Sequence, residues 1–216
     1  MYTPKDRVRV TISLSREVAT KIDEMVDGVK VRNRSHAIET LVTDSLDLSQ
    51  IKQAVILAGG QQAPKRIPGL QKMLSTLQQS GIFDIIIAVG YLGEKIRQEI
   101  GTGEELGLKI TYSESELGTG GALAQLKSKL KRTFLVVNIE RPVDINLKNL
   151  LKFHRAHQPL ITIATPSLRE LQGVYVVEPK LLASIPSGFC MLEDTVFDEM
   201  TRQGKLLFYP ILTDHK

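Results

Sequence analysis

Several things are scarce in this sequence. There is one cysteine in 216 residues, so no disulfide can close within the chain, and this usage fits a reducing cytoplasm. No pair of histidines or carboxylates flanks Cys190 in sequence, so it reads as a small packing residue. No apolar run approaches the ~18–20 residues that a membrane span needs, and polar, charged residues follow Met1 where a signal peptide would place its apolar core. A membrane partner is therefore not expected. Charge is nearly balanced, with 28 Lys and Arg against 24 Asp and Glu for a net +4; that permits nucleic-acid binding without arguing for it. Glycine is almost missing from the first fifty residues, where Gly28 stands alone. Hydrophobic residues at 42% and charged residues at 24% are ordinary for a globular chain and exclude disorder.

The glycine-poor front segment has its own pattern. In RVRVTISL (7–14), Val8, Val10, Ile12 and Leu14 share one face, and Arg7, Arg9, Thr11 and Ser13 the other. Such alternation predicts a strand with one buried face. Ser15 stands where an N-cap belongs, and Val18, Ile22, Met25 and Val26 follow at helical spacing up to Gly28. Asn33 or Ser35 can cap a second helix carrying Ile38, Leu41, Val42 and Leu46. One strand and two helices of this size cannot bury a core alone, so a second copy is expected to pair with the first.

This strand–helix–helix order, with RVRVTISLS and NRSHAIETLV in place, resembles the ribbon–helix–helix DNA-binding repressors over about residues 5–49. The resemblance implies a dimer whose paired strands present Arg7, Arg9, Thr11 and Ser13 to the major groove. The free backbone N–H groups at Asn33, Arg34 and Ser35 would anchor a phosphate. The plainer alternative is a dimerisation ribbon whose polar face is merely solvated.

From about residue 51 the texture changes to alternating strands and helices: QAVILAGG, a helix on Leu70 to Leu77, DIIIAVG, EKIRQEI, LKITYSE, GALAQLKSKL, TFLVVN, NLLKFHRAH and LITIAT. That order predicts an α/β fold with a mostly parallel sheet and helices on both faces. Ligands gather at the carboxyl ends of such strands, so the candidate site is bounded by Gly59–Gly60, Tyr91, Gly118–Gly121 and Asn138–Glu140. The segments AVILAGG, SGIFDIIIAVGYLGEKI, ELGLKITYSESELGTGGAL, FLVVN and NLLKFHRAH resemble the sugar-phosphate nucleotidyltransferases, whose Rossmann-like sheet is of the GT-A type. A fainter echo follows in GVYVVEPKLLASIPSG and LEDTVFDEMTRQGKL. These enzymes join a nucleoside triphosphate to a sugar phosphate and release pyrophosphate.

Departures from the family pattern are equally specific. The family's glycine pair opens a longer loop, G-x-G-T-R-L, whose amides and Arg hold the triphosphate; here Gly60 runs into Gln61, Gln62, Ala63, Pro64 and Lys65. Phosphoryl-type transfer depends on positioned positive charge, so losing that clamp implies a large loss of rate. Where the family has Asn-Gly-Asp, with the Asp on magnesium, this chain has Asn138, Ile139 and Glu140. Asp214 is the candidate for the second metal-binding Asp. The stretch that carries the family's sugar-phosphate lysine is nearly absent.

On these grounds the sequence reads as two domains, 1–49 and 50–216, forming a cytoplasmic, dimeric DNA-binding transcriptional regulator with a non-catalytic nucleotidyltransferase domain. Expected partners are double-stranded DNA, a second copy and a nucleotide or sugar-nucleotide effector. Gly59, Gly60, Lys65, Gly118, Thr119, Gly120 and Gly121 would contact that effector, although tight turns need glycine in any case. No cofactor is required on this reading. The alternative is an active sugar-phosphate nucleotidyltransferase using Arg66, Glu140 and Asp214 with magnesium. His154 and His157, at i and i+3, read as a solvated helix face more readily than as a metal pair.

Overall fold

The computed structural model describes residues 8–29, 31–45, 51–60, 63–91, 93–139, 145–166 and 173–211. The chain divides into two compact units, Met1–Gln50 and Ile51–Lys216.

In the first unit α1 (Arg16–Glu24) starts at Ser15, whose Oγ accepts from the Val18 N–H at 3.3 Å. The carboxylate of Asp27 accepts from the N–H groups of Val29 and Val31, both at 2.9 Å, and closes the turn that follows. Of the two candidate caps for α2 (Arg34–Ser45), Asn33 takes the role, its Oδ1 accepting from the His36 N–H at 2.9 Å. Arg34 grips Asp23 through both Nε and Nη2, and this hydrogen bonding holds the Asp23 carboxyl below its ordinary range. The Arg34 side chain is thus committed to an ion pair between the two helices.

The expected strand over 7–14 is corrected. Residues 8–15 have no regular secondary structure, and Val8, Val10, Ile12 and Leu14 are all exposed. A β-ladder needs a second edge, and among the described residues all seven strands belong to the other unit. Arg9, Thr11 and Ser13 stand exposed in this segment, Ser35 is exposed in the first turn of α2, and Arg7 lies outside the described residues.

The second unit is built on β1 (Gln53–Ala58), β2 (Asp84–Val89), β3 (Lys109–Glu114), β4 (Phe134–Asn138), β5 (Ile161–Thr165), β6 (Val174–Val177) and β7 (Leu206–Pro210). They form one seven-stranded sheet in the order β3-β2-β1-β4-β6-β5-β7. Every pairing is parallel except those of β6, which runs antiparallel to β4 and β5. The short connection from Thr165 to Val174 explains the reversal, because a parallel return needs a crossover of a dozen or more residues.

Strand parity divides the core in two. Val55, Leu57, Ile86, Ala88, Phe134 and Val136 face one side, where α5 (Gly118–Gln125) and α7 (Phe197–Arg202) supply Leu123, Phe197 and Met200. Ala54, Ile56, Ile85, Ile87, Leu135 and Val137 face the other. There α3 (Ile67–Gln79), α4 (Gly93–Ile100) and α6 (Leu147–His157) supply Leu70, Leu74, Leu77, Ile96 and Leu150. Strands buried on both faces need the near-continuous β-branched runs that this sequence has.

His154 of α6 does not lie on a solvated face. It is 3% exposed, with Nδ1 2.7 Å from Thr162 Oγ1 and Nε2 3.2 Å from Glu178 Oε1; Thr133 donates to the same carboxylate oxygen at 2.7 Å. Hydrogen bonding from His154 holds the Glu178 carboxyl below its ordinary range against the opposing effect of partial burial, with Thr133 and Lys180 assisting. A carboxyl depressed by folding contributes stability that is complete above its unfolded pKa and is lost as pH falls through the folded one. Urea denaturation should therefore show a loss of stability below about pH 4.3 that is diminished in Glu178→Gln. Superimposable acid profiles for the two proteins would refute this pairing.

Candidate functional site

The parallel strands all end on one edge of the sheet. There β1 passes into Gly59–Gly60, β2 into Gly90, β3 into Ser115–Glu116, and β4 finishes at Asn138. These ends enclose a cavity of ≈ 280 Å³. Its apolar lining comes from Leu57, Ala88 and Ala122; its polar lining comes from Ser115, Glu116, Thr119 and Asn138; Gly59, Gly60 and Gly118 bring backbone to its wall. Phe189 and Met191 complete it from a segment far along the chain. The volume lies just below the usual range for small-molecule pockets, roughly 300–1,000 Å³, and suits a heterocycle with its ribose.

Close backbone packing sets this shape. A Cβ on Gly90 would meet the Gly59 carbonyl oxygen at 2.6 Å, so the turns after β1 and β2 touch because neither carries a side chain there. Gly118 has φ +74, in the left-handed region, and a Cβ on it would meet the Cys190 carbonyl oxygen at 2.6 Å. A Cβ on Gly120 would meet Cys190 Sγ at 2.7 Å.

The Cys190 carbonyl accepts from the N–H groups of Gly120 at 2.8 Å and Gly121 at 3.2 Å, while the Cys190 N–H donates to Leu117 at 2.9 Å. The N-terminus of α5 is thereby capped by a distant loop. Gly120 and Gly121 stay outside the cavity lining and are needed for that docking, whereas Gly118 and Thr119 face the cavity.

One side-chain network locks the same junction. Thr119 Oγ1 accepts from the Leu192 N–H at 2.9 Å and donates to Glu193 Oε2 at 2.8 Å; Tyr175 donates to Glu193 Oε1 at 3.2 Å. Burial first, and then the Glu193 carboxylate, push the Tyr175 hydroxyl well above its ordinary value, so it remains a donor.

Other residues singled out from the sequence fall elsewhere. Tyr91 is exposed and lines a neighbouring groove of ≈ 480 Å³ with Glu94, Arg97 and Glu114. In that groove Arg97 pairs with Glu114 at 2.8 Å and lies 4.8 Å from the centre of the Tyr112 ring. Lys65 and Arg66 are exposed in the helical turn Ala63–Arg66 and do not line the cavity. Glu140 and Asp214 lie outside the described residues, among which no group of three His, Cys, Asp or Glu could hold a metal.

Ile139, which occupies the family's glycine position, is 4% exposed, packs in the sheet core and takes no part in the cavity lining. It is therefore no obstacle to a substrate there. Phe189, Met191 and Glu193 had not been read as site residues. The family echoes cover 173–188 and 192–206 and so take in Glu193 but pass over Phe189 and Met191, and an echo of element order says nothing about which side chains turn inward.

Comparison with known proteins places these features. The family model described as nucleotidyl transferase matches residues 52–178. A mannose-1-phosphate guanylyltransferase from Mycobacterium tuberculosis is 32% identical over 152 residues, covering 62% of this chain and 40% of that one. A D-glycero-alpha-D-manno-heptose 1-phosphate guanylyltransferase from Campylobacter jejuni is 28% identical over 194 residues, covering 76% of this chain and 86% of that one. The chain thus spans less than half of the mannose relative and most of the heptose relative. The solved structure of HddC from Yersinia pseudotuberculosis superposes with a TM-score of 0.63 at 17% identity, over 74% of this chain and 90% of that one, a likeness of fold.

These findings overturn the reading as a DNA-binding regulator with a non-catalytic rear domain. The matched relatives are enzymes that act on nucleotides and sugar phosphates, and the matched region begins beyond the front segment on which the repressor reading rested. DNA as partner falls with it. No helix among the described residues is long and apolar enough to cross a membrane.

Proposed function

This chain belongs to the nucleotidyl transferase family, and from that premise we propose that it transfers a guanylyl group from GTP to a sugar 1-phosphate of the mannose or heptose type. A phosphate oxygen of the sugar 1-phosphate attacks the α-phosphorus of the nucleotide. The bond from that phosphorus to the bridging oxygen breaks, and pyrophosphate leaves with the electron pair.

The observation that carries this reading is the cavity itself. The two glycine turns characteristic of the family line it, and its position at the carboxyl ends of the strands is where such folds take ligands. Gly59 and Gly60 offer backbone to the phosphates, and Lys65 and Arg66, in the following turn, are the cations nearest in sequence. Ser115 and Glu116 are the polar groups for the base. A carboxylate offers two acceptors side by side and complements the N1–H and N2–H donors of guanine. The other bases present an acceptor beside their donor, which a carboxylate repels.

Magnesium suits oxygen donors; Asn138 lines the cavity, and the sequence candidates that would join it, Glu140 and Asp214, lie outside the described residues. When bound there, the ion neutralises charge on the phosphates. The single buried Cys190 suits a reducing cytoplasm, where we place the reaction.

Pyrophosphate release, followed for each of the four NTPs with mannose 1-phosphate and heptose 1-phosphate in magnesium, tests the proposal. GTP with one of these sugars should exceed every other NTP by at least about tenfold, the effect of ~1.4 kcal/mol of discrimination. Release from no pairing, or at equal rates from all four, would refute it.

A further inference from the structure

Phe189 is held where a structural phenylalanine has no reason to be. It is 71% exposed, while the next residue, Cys190, is 3% exposed. Its backbone is fixed on both sides. Cys190 is held by its hydrogen bonds to Leu117, Gly120 and Gly121, and the Gly188 carbonyl oxygen lies where a Cβ on Gly121 would meet it at 2.9 Å. Gly188 itself has φ +91, a conformation that favours glycine, although a Cβ there would meet nothing within 4 Å. The backbone turn, not crowding, calls for glycine at that position. The result is a large ring presented to water at the rim of the cavity and anchored to the helix that forms the cavity wall.

We infer that Phe189 is the stacking platform for the nucleotide base, a specificity residue that favours purines. The inference rests on the nucleotide-binding reading. Besides Phe189, Leu57, Ala88 and Ala122 give the cavity apolar lining, while Ser115, Glu116 and Thr119 supply polar groups. A flat heterocycle satisfies both, with its faces against apolar groups and its rim against hydrogen-bonding ones. Its remaining face is covered only if Phe189 lies upon it. Base–aromatic stacking is worth about 1–3 kcal/mol per base, and a purine offers the larger overlap. Phe189 touches the base and not the reacting phosphorus, so it acts through affinity for the nucleotide.

The chain contains no tryptophan, which makes Phe189→Trp a single-site reporter. GTP binding is measured by calorimetry for the wild-type chain, Phe189→Ala and Phe189→Trp, with circular dichroism to check the fold. Phe189→Ala should weaken GTP binding roughly 5- to 150-fold, raise KM for GTP more than it lowers kcat, and narrow the preference for GTP over UTP. Phe189→Trp should keep the affinity, and its emission should be quenched as GTP is added. Unchanged GTP affinity in Phe189→Ala, or tryptophan emission indifferent to GTP, would overturn the stacking role while leaving nucleotide binding intact. A wild-type chain that binds no nucleotide would overturn both readings before any variant is made.

Discussion

Gly118→Ala should lower the stability of the second unit by roughly 2–5 kcal/mol and remove nucleotide binding. Two independent penalties combine. A left-handed conformation costs a non-glycine residue about 1–2 kcal/mol, and Gly118 has φ +74. Overpacking adds about 1–3 kcal/mol, because the new methyl would meet the Cys190 carbonyl oxygen at 2.6 Å and Met191 Sδ at 2.9 Å. Backbone is the less yielding of the two neighbours, so the 188–191 segment has to leave the N-terminus of α5. For a unit of this size the unfolding midpoint should fall by roughly 5–20 °C, readable by calorimetry. An unchanged midpoint would show that the close docking of Cys190 on α5 is not as described.

The second large effect falls on a neighbouring pair of turns. Gly90→Ala should weaken GTP binding by at least about tenfold and destabilise the second unit by about 1–3 kcal/mol. Its methyl would come within 2.6 Å of the Gly59 oxygen, 3.2 Å of the Gly59 Cα and 3.3 Å of the Gly59 carbonyl carbon. All three are main-chain atoms with no side-chain freedom to give way, so the phosphate-side turn after β1 must move. Gly59→Ala is the contrasting substitution. A methyl there would meet Gly90 N at 3.8 Å and the Ser115 oxygen at 3.9 Å, ordinary van der Waals contacts. The unfolding midpoint of Gly59→Ala should stay close to that of the wild-type chain, and equal destabilisation by both substitutions would contradict this asymmetry.

Much of the second unit could be read from residues alone, and the reasons are local. DIIIAVG and TFLVVN are too continuously apolar to be half-exposed strands, and each is followed by a helical pattern that ends in glycine or polar turn residues. Those signals depend only on near neighbours, and β1 to β5 follow them. What escaped depends on distance. The reversal of β6 follows from a short connection, and β7 follows from closing the sheet beside β5.

The site shows the same division. Gly59, Gly60 and Asn138 stand at strand ends, Gly118 and Thr119 open α5, and all five could be placed at the cavity from element order. Phe189 and Met191 enter it only because Cys190 docks on α5, a contact that spans about seventy residues of sequence. The glycines at 120 and 121 were read for what they might bring close, a ligand, when what they admit is another piece of the chain. His154 misled for a similar reason. Its spacing from His157 describes one helix surface, while its partners Thr162 and Glu178 come from other elements.

At the front of the chain, strict alternation in RVRVTISL was a correct observation about periodicity. Alternation encodes which side of a strand would be buried but supplies no neighbouring edge, and residues 8–14 form no ladder. Departures in individual motif residues also weighed too heavily against catalysis. Ile139, which stands where the family has glycine, packs in the core.

The loop that caps α5 also has a bearing on timing. Synthesis delivers β1, β2, β3, α5 and β4, with the polar lining of the cavity, before the 188–193 wall. Until residues 188–193 leave the ribosome, the amides of Gly120 and Gly121 lack their Cys190 acceptor and Thr119 lacks Glu193. The cavity is therefore complete only once residues 188–193 have been made. A ribosome-arrested chain ending near residue 180 would carry the whole family-matched stretch and still lack the Phe189 and Met191 side of the cavity.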